Sequence, residues 1–177
     1  MEMTKRKVMT GERFLSFSLE GEEYCLEIMK VKELLGLTEI THIPQTPPFI
    51  KGVINLRGQI IPIVDLRLKF GMQPKVYDKR TSIIVVEVNF EGDLILMGVL
   101  VDTISEVIGI PEDKLNKVPY INSKIHSDFI KGIANMSNGI KIVLDIGKIL
   151  SEDDFVTLQA IEKKEVPETK KETAIEK

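Results

Sequence analysis

A stretch of twelve residues occurs twice in this chain in related form. Phe49-Ile50-Lys51-Gly52-Val53-Ile54-Asn55-Leu56-Arg57-Gly58-Gln59-Ile60 returns 80 residues later as Phe129-Ile130-Lys131-Gly132-Ile133-Ala134-Asn135-Met136-Ser137-Asn138-Gly139-Ile140, and the register continues until Asp65 stands opposite Asp145. A repeat of this kind restricts the chain to architectures built from two similar units. Earlier segments repeat with small length changes. Leu19-Glu20-Gly21-Glu22 answers Phe90-Glu91-Gly92-Asp93 at an offset of 71, and Ile28, Val31, Glu33 and Gly36 answer Val101, Ile104, Glu106 and Gly109 at an offset of 73. Offsets that drift in loops while apolar positions persist are what duplication followed by loop change leaves behind. The halves are drawn at 12–80 and 81–150.

Both halves read as β. In the first, the runs 14–19, 24–28, 40–43, 52–56 and 60–66 are rich in β-branched and aromatic residues. They are separated by Glu20-Gly21, by Pro44, Pro47 and Pro48, and by Arg57-Gly58, all turn-forming combinations. The second half gives 82–88, 94–102, 106–110, 132–136 and 140–146. Five short strands are too few to bury an open sheet face, so each half is expected to close into a small barrel, which also removes exposed edges. Helix is scarce. Leu66 to Phe70 and Ile146 to Leu150 fit single turns, and Ser151-Glu152-Asp153-Asp154 offers a hydroxyl cap followed by carboxylates. Phe155, Leu158 and Ile161 then follow at helical spacing, which predicts a short C-terminal helix over 152–162 with one face docked. Residues 1–11 read as a flexible N-terminus and 163–177 as a disordered, Lys/Glu-rich tail.

The chain has 177 residues, of which 43% are hydrophobic and 29% charged, and a net charge of -3. That balance suits a globular fold and lacks the basic field that nucleic-acid binding needs. The lone Cys25 excludes an intramolecular disulfide and fits a reducing, cytoplasmic setting. No apolar run is long enough to span a bilayer, and Met1 to Thr10 has no apolar segment behind it that would make a secretory signal. His42 and His126 have no second ligand at metal spacing, so no metal site and no cofactor are expected. Phosphate-cradling glycine motifs and nucleophile elbows are absent from the sequence.

Against the duplicated background, differences carry information. The first copy has Arg57-Gly58-Gln59 where the second has Ser137-Asn138-Gly139; both suit tight hairpins, but only the first carries a guanidinium. Glu33, the one carboxylate in the stretch from Ile28 to Leu37, is placed to meet it in a bidentate pair. The alternative is an exposed arginine at a hairpin tip that contributes little. Asp65 and Asp145 invite comparison with a paired-carboxylate hydrolase, yet each is flanked by large aliphatic residues and precedes a helical turn that it could cap. Ile28, Val31, Leu34, Val99 and Val101 fit either a core or the seam between the halves, where a groove can admit a partner helix.

The long segment from Ile43 to Leu66, supported by Phe14-Leu15-Ser16-Phe17, Val31-Lys32-Glu33 and Phe129-Ile130-Lys131-Gly132, resembles the CheW family of bacterial chemotaxis coupling proteins. The resemblance covers about residues 12–161. It implies a mainly β fold of two five-stranded SH3-like barrels with a short C-terminal helix, and no enzymatic activity. It further implies an adaptor, monomeric when free, that links chemoreceptor tips to the regulatory domain of the histidine kinase CheA and is recruited to arrays at the inner membrane. The residues carried over to the receptor groove are Ile28, Val31, Glu33, Arg57, Ile60, Val99 and Val101, with Glu33 and Arg57 as a structural ion pair. Ile43, Phe49, Tyr120 and Ile121 are the expected kinase contacts. The same module occurs in the kinase itself and in CheV proteins, so a fragment of one of those is the alternative; an aspartyl-type hydrolase using Asp65 and Asp145 is the remote one.

Overall fold

The computed structural model describes residues 11–118 and 128–161. Tyr120 and Ile121, two of the expected kinase contacts, lie outside the described residues, as do His126, Glu162 and the tail.

Strands β1 (Glu12–Leu19), β2 (Glu22–Glu27), β3 (Val31–Gly36), β4 (Ile50–Leu56) and β5 (Gln59–Asp65) come from the first half. Strands β6 (Ser82–Phe90), β7 (Asp93–Val101), β8 (Thr103–Ile110), β9 (Leu115–Asn116), β10 (Ile130–Met136) and β11 (Gly139–Leu144) come from the second. A one-turn helix, α1 (Leu66–Lys69), follows β5, and a second helix, α2, covers 152–161. The expected mainly β, SH3-like architecture with a C-terminal helix is present. One strand differs from expectation. Val31–Gly36 forms β3, whereas the run at 40–43 contributes only the isolated bridge of Thr41 to Val53. The adjacent Leu34 and Leu35 break the alternation that marks a strand, and the prolines after Ile43 stop the other run from extending.

The two sheets are not the two halves. One has the order β8-β1-β2-β11-β10-β9 and the other β3-β6-β7-β5-β4. Each copy has therefore exchanged its first hairpin with the other: β1-β2 completes the second copy's sheet, and β6-β7 completes the first copy's. The idea that residues 12–80 and 81–150 each close on themselves is corrected accordingly. Hydrophobic alternation shows which faces of a strand are buried but not which partner its edge will meet. The exchange is symmetric down to register. Parallel pairing sets Cys25 against Val143 and, at the same repeat positions, Gly98 against Ile63. A Cβ at Gly98 would lie 2.6 Å from Ile63 Cδ1, so the glycine makes room for the larger isoleucine where the other sheet has cysteine against valine.

Alternate faces of the strands feed three cores. Ile54, Ile61, Ile63, Ile83, Val85 and Leu100 fill the interior of one sheet, and Phe14, Cys25, Ile110, Ala134 and Val143 that of the other. Their opposite faces meet in a shared core between the sheets, including Leu15, Phe17, Leu26, Val86, Met97, Val99, Leu144, Phe155 and Leu158. The repeated Phe-Ile-Lys-Gly has a geometric reason. A Cβ at Gly52 would sit 2.0 Å from the Thr41 carbonyl oxygen, and one at Gly132 would sit 2.9 Å from that of Asn116. In both copies the chain crosses this glycine closely, and β4 and β10 carry a bulge there.

Helix α2 begins as its sequence indicates. Asp154 N–H donates to Ser151 Oγ at 3.1 Å while Ser151 N–H donates to Asp154 Oδ2 at 3.0 Å, a reciprocal cap. Phe155, Leu158 and Ile161 are buried, and Lys69 Nζ reaches Asp154 at 2.9 Å to tie α2 to α1.

Candidate functional site

The hairpin between β4 and β5 has only Arg57 and Gly58 in its turn, at φ 51° and 88°. Positive φ at both central positions matches the right-handed twist of the flanking strands. Asn55 Oδ1 accepts from Gly58 N–H at 2.8 Å and fixes the turn. Held there, the Arg57 guanidinium engages both carboxylate oxygens of Glu33: Nη1 donates to Oε2 at 3.1 Å, and Nη2 donates to Oε1. The pair spans the sheet from the β4-β5 tip to edge strand β3. Its hydrogen bonds hold the Glu33 carboxyl below the usual carboxylate range and raise the guanidinium further.

Glu33 and Arg57 are therefore brought together. Ile28, Val31 and Ile60 are half-buried with part of their surface available, packing against the shared core. Val99 and Val101 are 0% and 2% exposed, inside the shared core, on β7, the central strand of its sheet. Leu34, which the sequence allows either in the core or at the seam, is 47% exposed on β3, and Met29 just before it, to which the sequence points in no way, is 81% exposed. An apolar residue reads alike whether it is covered or bare, so only the fold separates Val99 from Met29.

Of the expected kinase contacts within the described residues, Ile43 and Phe49 are half-buried against the shared core. The Phe49 ring carries Lys69 Nζ above it at 4.5 Å, and its carbonyl accepts from Asp65 N–H at 2.7 Å. They lie in the segment leading into β4, apart in sequence from the Glu33–Arg57 pair.

Asp65 and Asp145 do separate structural work at the ends of strands in different sheets. Asp65 Oδ1 accepts from Leu68 N–H at 3.3 Å and its Oδ2 from Tyr77 O–H at 2.7 Å; Asp145 Oδ1 accepts from Gly147 N–H at 3.2 Å. Burial and the bond to Asp65 push the Tyr77 phenol up. Cys25 is buried, and desolvation pushes its thiol up to about 12, which makes it a poor nucleophile in the folded protein. Among the described residues no cluster of His, Cys, Asp and Glu could hold a metal, and no helix is long and apolar enough to cross a membrane.

A family model described as CheW-like domain matches residues 13–154. The chemotaxis protein CheW of Klebsiella aerogenes is 37% identical over 153 residues, covering 86% of this chain and 90% of that protein. A probable chemotaxis protein CheW of Rhizobium etli is 30% identical over 155 residues, covering 87% of this chain and 97% of that one. The crystal structure of scaffolding protein TtCheW from Thermoanaerobacter tengcongensis superposes with a TM-score of 0.72 at 35% identity, over 82% of this chain and 96% of that chain.

Proposed function

The chain belongs to the CheW family, and from that premise we propose that it is a non-enzymatic chemotaxis adaptor that links the cytoplasmic tips of chemoreceptors to the regulatory domain of the kinase CheA. The observation that carries the reading is the likeness, over most of both chains, to a solved scaffolding protein. The geometry gives the reading a physical form. A bidentate ion pair fixes a hairpin tip against an edge strand, and half-buried aliphatic side chains flank it. Such a surface suits a helix laid across it: apolar contacts at the centre supply affinity and the charged rim sets register.

On this reading Ile28, Val31, Glu33, Arg57 and Ile60 meet the receptor, and Ile43 and Phe49 face the kinase domain. The adaptor performs no chemistry. It acts by holding receptor and kinase in contact, so that receptor states which differ in those contacts differ in kinase output. Recruitment to receptor arrays at the inner membrane follows from binding receptors, without insertion of this chain into the bilayer.

The test is co-sedimentation with vesicles that carry a chemoreceptor, with and without the kinase. The chain should pellet with receptor vesicles, should increase the kinase recovered with them, and should do neither with receptor-free vesicles. Equal recovery on receptor-free vesicles would refute the reading.

A further inference from the structure

The chain passes from one sheet to the other at two equivalent places. Ile28-Met29-Lys30 joins β2 to β3, and Val101-Asp102-Thr103 joins β7 to β8 at the 73-residue offset. Beside each crossing a parallel strand ends in a helical turn. β5 brings Asp65 level with Leu100, and the register that pairs Val143 with Cys25 brings Asp145 level with Glu27.

The second crossing is closed. Arg67 Nη1 donates to Asp102 Oδ2 at 2.6 Å, Arg67 Nε donates to the Gln73 carbonyl at 3.0 Å, and Asp102 Oδ2 also accepts from Glu20 N–H at 2.8 Å. The two charged side chains are only 11% and 14% exposed, and Val101 beneath them is covered. The first crossing has neither group. Gly147 stands 80 residues on from Arg67, and Met29 stands at the place of Asp102. Ile28 is half-buried where Val101 is buried, and Met29 is 81% exposed. The nearby Glu27 is already engaged by Lys131 at 2.8 Å.

We infer that the open crossing extends the receptor-binding surface beyond Val31, and that Met29 is its outer anchor, packing on an apolar side chain of the receptor helix in the space that Gly147 leaves. The inference rests on the adaptor reading. An apolar occupant is indicated because the groups that make the equivalent crossing polar, a guanidinium and a carboxylate, are replaced here by glycine and a thioether. Methionine also has the flexible, polarizable side chain suited to a surface that accommodates more than one partner. In sequence Met29 lies between the half-buried Ile28 and Val31, and Glu33 of the ion pair follows two residues after Val31.

The experiment is vesicle co-sedimentation of the full chain with a chemoreceptor, alongside binding to the isolated kinase regulatory domain. Met29→Glu should weaken receptor association about tenfold and Met29→Leu should preserve it, with kinase-domain binding unchanged in both. Gly147→Arg combined with Met29→Asp transplants the closing pair and should have the same effect as Met29→Glu. A Cβ at Gly147 meets nothing nearer than Asp145 Oδ1 at 3.5 Å, and Met29 is exposed, so folding is not at stake in the single variants. Wild-type receptor binding by Met29→Glu beside a defective Val31→Asp would overturn the inference and leave the adaptor reading standing. Normal binding by both would remove the receptor surface altogether. Equal loss of receptor and kinase-domain binding by Met29→Glu would also overturn it.

Discussion

The hairpin tips at 56–59 and 136–139 occupy the same place in the two copies and do different things. Both connect strands that carry the same bulge and lead to an aspartate that caps the next turn. In the first copy, Arg57 and Gly58 take positive φ and the guanidinium reaches back to Glu33 on β3. In the second, Ser137 replaces the arginine, and among the described residues no cation pairs with Glu106, the counterpart of Glu33. Ile60 packs against the shared core, whereas its counterpart Ile140 is 62% exposed. Two copies on one scaffold thus teach that strand pairing is held in common while side chains at tips and crossings set what each surface can grip.

The exchange of hairpins makes the two copies one folding unit, and that is where the largest effect is expected. Phe17→Ala should cost about 3–5 kcal/mol because the ring lies in the core that both sheets share. Hydrogen exchange in both sheets, and alkylation of the buried Cys25, should then accelerate together. Separate transitions for the two sheets would show that the sheets unfold independently despite the exchanged hairpins. Next in size is the closed crossing. Arg67→Ala should cost about 3 kcal/mol in chemical denaturation, since it strands the little-exposed Asp102 without its partner. Gly147→Ala at the open crossing should cost nothing measurable, and equal costs would erase the asymmetry between the crossings.

On the surface, Leu34→Asp should weaken receptor association several-fold in co-sedimentation while its repeat counterpart Val107→Asp leaves it unchanged, with both variants folded. Equal losses would make the two faces functionally alike. The smallest effect is in acid. Burial alone would raise the Asp154 carboxyl, but hydrogen bonds from Lys69 and Ser151 outweigh it and hold the group below its ordinary range. A depressed carboxylate stabilises the fold above its unfolded value near pH ~4, and that contribution disappears as pH falls through the folded value. Thermal midpoints measured from pH 7 downward should therefore fall more steeply below about pH 4 in the wild type than in Asp154→Asn.

Much of this was legible in the sequence. The repeat gave two similar units, Arg57-Gly58 gave a tight hairpin, Ser151 with Asp154 gave the start of α2, and Asp65 and Asp145 read as caps. The exchanged hairpins were not legible, because β1-β2 has the same local pattern whether it pairs within its own half or across to the other. Buried Val99 and exposed Met29 were indistinguishable for a related reason: burial is decided by which element lands on a residue. Arg67 and Asp102 are 35 residues apart, so their pairing also waited on the fold. Only the repeat offset offered a clue, by setting Arg67 opposite Gly147.

On the adaptor reading, receptor control of the kinase depends on the surface that the Glu33–Arg57 clamp builds. The direct measurement is receptor-dependent kinase activity with Arg57→Glu, Glu33→Arg and the double exchange, each confirmed folded by its thermal midpoint. Each single reversal should abolish receptor control, and the double exchange should restore a substantial part of it. Full receptor control by Arg57→Glu alone would contradict the claim.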